Sequence, residues 1–176
     1  MEKIYILGMA LLLVAIFAVS AVPGVQLSAQ GINYNAEVCV YKNNELVDCS
    51  HNVLYDSGRD LIKTYLGDTG GSSDEVDQIE LCNATAGCGA PTAAKSGDTY
   101  NALSGCGMDE TTGAYNSIGT GNWTISATFQ ASCDNVLTNV TRLRNTNNDD
   151  FAGNNFSLVT LQTNDIINVT WTIWVT

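Results

Sequence analysis

The sequence predicts a mainly β protein: a jelly-roll or immunoglobulin-like β-sandwich with one short helix, preceded by an N-terminal hydrophobic signal helix and an extended strand. Three observations lead there. Apolar and polar residues alternate with period two along the last third of the chain, a single stretch carries helical spacing, and an uncharged apolar run opens the sequence. Several strands at intervals of about ten to fifteen residues, with one helix among them, argue for a β-sandwich.

The opening run, residues 4–22, follows Met1-Glu2-Lys3 and ends in Val22-Pro23-Gly24. As a secretory signal it has Lys3 as its positive flank, an apolar centre over 7–17 and the small-residue site Val19-Ser20-Ala21. As an anchor, about 19 apolar residues just suffice to cross the hydrocarbon layer. The small residues and Pro-Gly at its end, where an anchor carries Lys or Arg, favour a cleaved signal. The expected division is therefore 1–21 secretory signal (or membrane anchor), 22–35 N-terminal extended strand, and 36–176 a disulfide-bonded β-sandwich. The membrane is then met only transiently, through residues 4–22.

In the segment 22–35, Val25, Leu27 and Ala29 alternate with Gln26, Ser28 and Gln30, and Ile32 and Tyr34 follow. This is strand-like and has no hairpin partner before it. Residues 36–41 and 45–49 form the expected hairpin, with Asn43-Asn44 at its bend. The helix is expected over 52–67. Ser57 is its cap, Asp60 stands three residues later as in a capping box, Gly67 is its stop, and Leu61, Ile62, Tyr65 and Leu66 share a face. A short strand is read over 76–81. Residues 82–120, rich in Gly, Ser, Thr and Asp, are read as surface loops and short strands held by cysteines. Trp123, Ile125, Ala127 and Phe129 then mark one face of a strand. Residues 136–144 alternate again, Val136, Thr138, Val140 and Arg142 against Leu137, Asn139, Thr141 and Leu143, and 156–161 is a further strand. Ile167, Val169, Trp171, Ile173 and Val175 face one side of the last strand.

The net charge is −11 and charged residues make up 14% of the chain, well below the roughly 25% of ordinary domains. This acidic balance, without a Lys/Arg cluster, excludes nucleic acid and anionic lipid as partners. Asn, Thr, Ser and Gly supply the polar surface instead, as suits an exported β protein.

Six cysteines, Cys39, Cys49, Cys82, Cys88, Cys106 and Cys133, all follow the export segment. An even number in an exported chain reads as three disulfides. Cys39 and Cys49 face each other across the hairpin, Cys82 and Cys88 close a short loop, and Cys106 remains for Cys133. Zinc is disfavoured, because there is no Cys-x2-Cys pair and the single histidine, His51, lacks a ligand partner.

No catalytic residue is expected. His51 would have to serve as base for any nucleophile, and there is no Gly-x-Ser-x-Gly turn. Asp109-Glu110 and Asp74-Glu75 read as solvated loop carboxylates, and Gly70-Gly71 and Gly119-Thr120-Gly121 as turns without the Lys-Ser/Thr of a phosphate cradle. Asn147-Asn148-Asp149-Asp150 offers oxygens for calcium at the wrong spacing and reads as a turn. No cofactor and no metal is called for. Five Asn-x-Ser/Thr sequons, at Asn83, Asn122, Asn139, Asn155 and Asn168, are candidate N-glycan sites. Asn139 and Asn168 fall on polar strand faces, and Asn83 on an accessible loop.

The unpartnered strand behind the export signal is the informative feature. Val25, Leu27, Ala29, Ile32 and Tyr34 are positioned as a donor strand, whose insertion into a neighbour would satisfy an open sheet edge. If each subunit gives one strand and receives one, the contact is head-to-tail and propagates. The expected partner is then the chain itself, as a homopolymer.

The layout of residues 4–21, 22–34 and the Thr/Asn-rich strands ending in 167–176 resembles subunits of archaeal extracellular adhesive threads and bundling pili. That resemblance implies polymerisation outside the cell by donor-strand exchange, with adhesion and cell-to-cell bundling; the six cysteines are not tied to the family's pattern. A membrane-anchored or secreted carbohydrate-binding β-sandwich, using exposed aromatics such as Trp174 or Tyr115, is the alternative. Gly58-Arg59-Asp60-Leu61-Ile62, with Asp98-Thr99 and the terminal Trp-Thr-Ile strand, also resembles small β-sandwich structural proteins of viruses.

Overall fold

Ten strands and one helix build two antiparallel sheets in a computed structural model that describes residues 33–67, 75–83, 91 and 103–176. The signal segment, and Val25, Leu27, Ala29 and Ile32 of the leading strand, lie outside the described residues. Strands β1 (Tyr34–Lys42) and β2 (Glu45–His51) form the expected hairpin. Asn43 and Asn44 both take positive φ, 49° and 69°, the paired left-handed conformation that a two-residue hairpin turn requires and Asn tolerates. Tyr34 is the first residue of β1, paired with Val175. It belongs to the domain's own sheet, not to a free leading strand.

After β3 (Val53–Leu54) comes helix α1 (Asp56–Gly67). It starts later than residue 52, and Ser57 is not its cap. The Ser57 hydroxyl donates to the backbone oxygen of Asp150, and the carbonyl of Tyr55 accepts the first helical N–H, from Arg59, at 3.1 Å. Asp60 pairs with Lys63 (3.7 Å) and does not reach back as in a capping box. Leu61 and Ile62 pack against the core as their spacing predicts. Gly58 lets the helix lie close on the sheet, since a Cβ there would stand 2.2 Å from the Phe151 carbonyl oxygen.

The remaining strands are β4 (Val76–Cys82), β5 (Thr111–Thr112), β6 (Ala114–Gly119), β7 (Asn122–Gln130), β8 (Val136–Asn145), β9 (Asp150–Leu161) and β10 (Ile166–Val175). The first sheet runs β2-β1-β10-β7-β6 and the second β3-β9-β8-β4-β5. Alternate residues of each strand meet between them: Val38 and Val40, Ile125 and Phe129, Ile167 to Ile173 by twos, against Ile79, Leu81, Leu143 and Leu161. Each such side chain contributes about 1.5–3 kcal/mol by leaving water. Two antiparallel sheets with one short helix thus agree with the mainly β reading, set by period-two patterning.

The second sheet departs from simple alternation. Val140, Thr141, Arg142 and Leu143 are all buried, because the sheet's outer face is covered as well. Tyr55 and Pro91 lie over Gly153, where an added Cβ would come within 2.0 Å of the Tyr55 hydroxyl and 2.9 Å of Pro91.

Disulfides join Cys39 to Cys49 and Cys106 to Cys133. Cys82 is disulfide-bonded too; its expected partner, Cys88, lies outside the described residues. Cross-links of this kind fit an oxidising compartment. No helix of the described residues is long and apolar enough to cross a membrane.

Candidate functional site

The two flanks of the sandwich are finished differently. On one, β2 and β9 are laced by side chains. Asn154, 1% exposed, donates through Nδ2 to the backbone oxygens of Ser50 (3.2 Å) and His51 (3.1 Å). Asp48 accepts the backbone N–H of Ser157 at 3.0 Å and its hydroxyl at 3.2 Å. Lys42 donates to the Thr160 carbonyl at 2.8 Å and pairs with Asp165 at 2.9 Å. Asp165 is held far below the usual carboxylate range by the hydrogen bond from Asn43, then by the Gln162 N–H and by Lys42.

On the other flank the chain crosses from the second sheet to the first at Gly113, between β5 and β6. The Gly113 N–H donates to Asp77 O at 2.7 Å, and a Cβ there would lie 2.5 Å from Ile125 Cγ2, so only glycine passes. Beyond this corner β6 is bonded, among the described residues, to β7 alone. All six of its residues, Ala-Tyr-Asn-Ser-Ile-Gly, are exposed and none is charged. Tyr115 and Ile118 stand 66% and 54% exposed. An edge of this kind lacks the charges, proline or cover that usually block strand addition.

A third feature, illegible in the sequence, lies buried on the second sheet. Arg142 is bound by Glu80 and, at 2.8 Å, by Asp150. Arg144 pairs with Glu110 at 2.7 Å, Asp150 at 2.8 Å and Glu80 at 3.5 Å. Burial outweighs the two guanidinium groups and holds the Glu80 carboxyl above its ordinary range. Glu80, Arg142 and Asp150 are paired away from solvent, with Arg144 and Glu110 at the more exposed rim. Arg142 sits opposite Glu80 through the β4–β8 register, a pairing 62 residues apart that no local pattern announces.

Beside the end of β1 lies a cleft of about 330 Å³ whose walls include Tyr34, His51, Asn52, Leu54 and Arg59. Asn52 donates to the Tyr34 hydroxyl at 2.9 Å, and burial pushes the ionisation of that hydroxyl well above the usual tyrosine value.

The other candidates are dispersed. Asp109 accepts the Gly105 N–H at 2.8 Å and Glu110 faces Arg144, so the pair is divided between a turn and an ion cluster. Asn145 accepts the N–H groups of Asn147 and Asp149 (3.1 and 2.7 Å), which makes a turn of the first three residues of Asn147-Asn148-Asp149-Asp150, while Asp150 opens β9 and binds Arg142. Glu37, Cys39 and Cys49 are close enough to hold a metal, but both sulfurs are joined in a disulfide. Of the sequons, Asn155 is exposed, while Asn122, Asn139 and Asn168 are half-buried. Asn168 accepts a 2.6 Å hydrogen bond from Thr128. Asn83, expected on an accessible loop, is buried at 5% exposure, because it directly follows a strand covered on both faces. Trp174 and Tyr115 do not line the cleft: Trp174 sits half-buried between Asn35 and Asn122, and Tyr115 stands on β6. Comparison with protein-family models, with curated proteins and with solved structures finds no match for this chain.

Proposed function

We propose that this protein is a non-enzymatic structural subunit that assembles with copies of itself outside the cell by adding a strand to the β6 edge. The observation that carries the reading is β6 itself: six exposed, uncharged residues bonded on one side only, in a sandwich whose other flank is laced shut. The donor is the leading strand of another copy, with Val25, Leu27, Ala29 and Ile32 alternating along it. Tyr34 marks the point where the chain rejoins its own sheet. Such insertion satisfies the unpaired backbone groups of the edge and seats alternate side chains. A contact between unlike surfaces repeats head-to-tail into a filament. The disulfides support export, and the exposed sequon at Asn155 agrees with it. A filament serving adhesion or cell bundling, and a virion or tail structure, use the same contact. Electron microscopy and mass spectrometry of native assemblies decide the matter. The reading expects filaments or particles containing this chain with its amino terminus near Val22. Native material that is only monomeric overturns it.

A further inference from the structure

The end of β1 outruns its hairpin partner. β2 stops at His51, opposite Glu37, while β1 continues along β10 to Tyr34. In an antiparallel ladder successive residues turn their peptide groups to opposite sides. Asn33 exchanges both its bonds with Thr176 (2.8 and 3.0 Å), so Tyr34 and Ala36 turn theirs away from β10. The Asn52 N–H takes the Ala36 carbonyl at 3.2 Å. What remains beside Tyr34 is the 330 Å³ cleft, closed on its far side by Leu54 and Arg59.

Among the described residues it is where a guanidinium and the single imidazole meet. In a chain of net charge −11, Lys42, Lys63, Arg142 and Arg144 are each tied to carboxylates elsewhere. Arg59 has a carboxylate neighbour as well, Asp56, but it also lines a concavity with His51, Asn52 and Tyr34. Arg59 touches Asp56 through one nitrogen at 2.5 Å, with both side chains more than half exposed. An exposed pair of this type is weak and exchanges readily, and the guanidinium has further donors for a planar carboxylate.

We infer that this cleft binds the carboxylate-bearing ring of an acidic sugar, with Arg59 and His51 at the carboxylate and Asn52 and the Tyr34 hydroxyl at the ring hydroxyls. Its volume is at the small end of ligand sites, suited to a single ring. The amide and the phenol donate and accept, as hydroxyl recognition requires. None of these side chains belongs to β6, so this site and the assembly edge stand or fall separately.

The test is a titration of the oxidised full chain with D-glucuronate, followed by calorimetry or NMR, with D-glucose and acetate as comparison probes. Glucuronate should saturate, and glucose and acetate should each bind more weakly by roughly tenfold, about 1.4 kcal/mol. Arg59→Gln should weaken glucuronate by a similar factor at unchanged melting temperature, while Asp56→Asn, which removes the competing carboxylate, should tighten it. Opposite responses from these neighbours are not the outcome of a general disturbance of the helix. No saturable binding, equal binding of glucuronate and acetate, or Asp56→Asn weakening binding as Arg59→Gln does would each overturn the site.

Discussion

The two sheets have five strands each yet meet their surroundings in opposite ways. The second is covered on part of its outer face as well: its inner side chains fill the core, and Glu80 and Arg142 on its outer face are 2% and 3% exposed, while Leu137 and Leu158 towards its other end are 40% and 59% exposed. The first is bare outside, with Thr124, Thr170, Thr172 and Ser126 half-exposed in register, and it ends in an unblocked edge at β6. The buried ion pairs thus sit on one sheet, and the exposed uncharged edge on the other.

The sharpest way to break this contrast is Arg142→Met. Glu80 and Asp150 would be left buried without their main counter-charge, and removing one partner of such a cluster costs about 3–5 kcal/mol. Urea denaturation should register that loss. A change within experimental error would mean that the outer face of the second sheet is open to water.

Asn154→Ala tests the laced flank. Its amide serves the carbonyls of half-buried Ser50 and exposed His51, which would lose that donor; stability should fall by about 1 kcal/mol. The loss should appear first as faster amide exchange in β2, since that strand is the one released.

Acidification separates the sheets by sign. Glu80 holds its proton more tightly folded than unfolded, so its contribution is fully present below the ordinary glutamate range and is lost as pH rises through the folded value. Asp165, at the start of β10, is shifted the other way. Its contribution is present above the ordinary aspartate range and is lost only as pH falls through a strongly depressed value. From neutral pH downward, stability should therefore gain from Glu80 before it loses from Asp165. Glu80→Gln should remove the initial gain and leave the later loss, as read from melting temperature against pH.

Legibility in the sequence followed the range of the forces involved. The faces of β7 and β10 and the Asn43-Asn44 turn depend on neighbouring residues and were readable from them. Helix α1 was readable from Leu61 and Ile62, but its start was not, because Ser57 finds its acceptor on Asp150, 93 residues away. The Glu80–Arg142 pair, the Asn154 lacing and the sheet change at Gly113 depend on register between distant strands. Residues 140–143 misled for the same reason: alternation tells which face a side chain takes, not whether something covers that face.

The smallest effect on stability carries the most weight for function. Ile118 is exposed on a strand that pairs only with β7, so Ile118→Lys should alter folding stability by no more than about 0.5 kcal/mol. A lysine on an edge nonetheless disfavours an incoming strand, whose arrival would strip its charge of water. Sedimentation and microscopy should then find a monomer of unchanged melting temperature. Leu137→Lys, on the second sheet at 40% exposure, provides the control: it adds the same charge to an exposed apolar residue away from β6, and assembly should survive it. If Ile118→Lys assembles normally while Leu137→Lys does not, the contact lies on the second sheet, and the division of labour between the sheets is reversed.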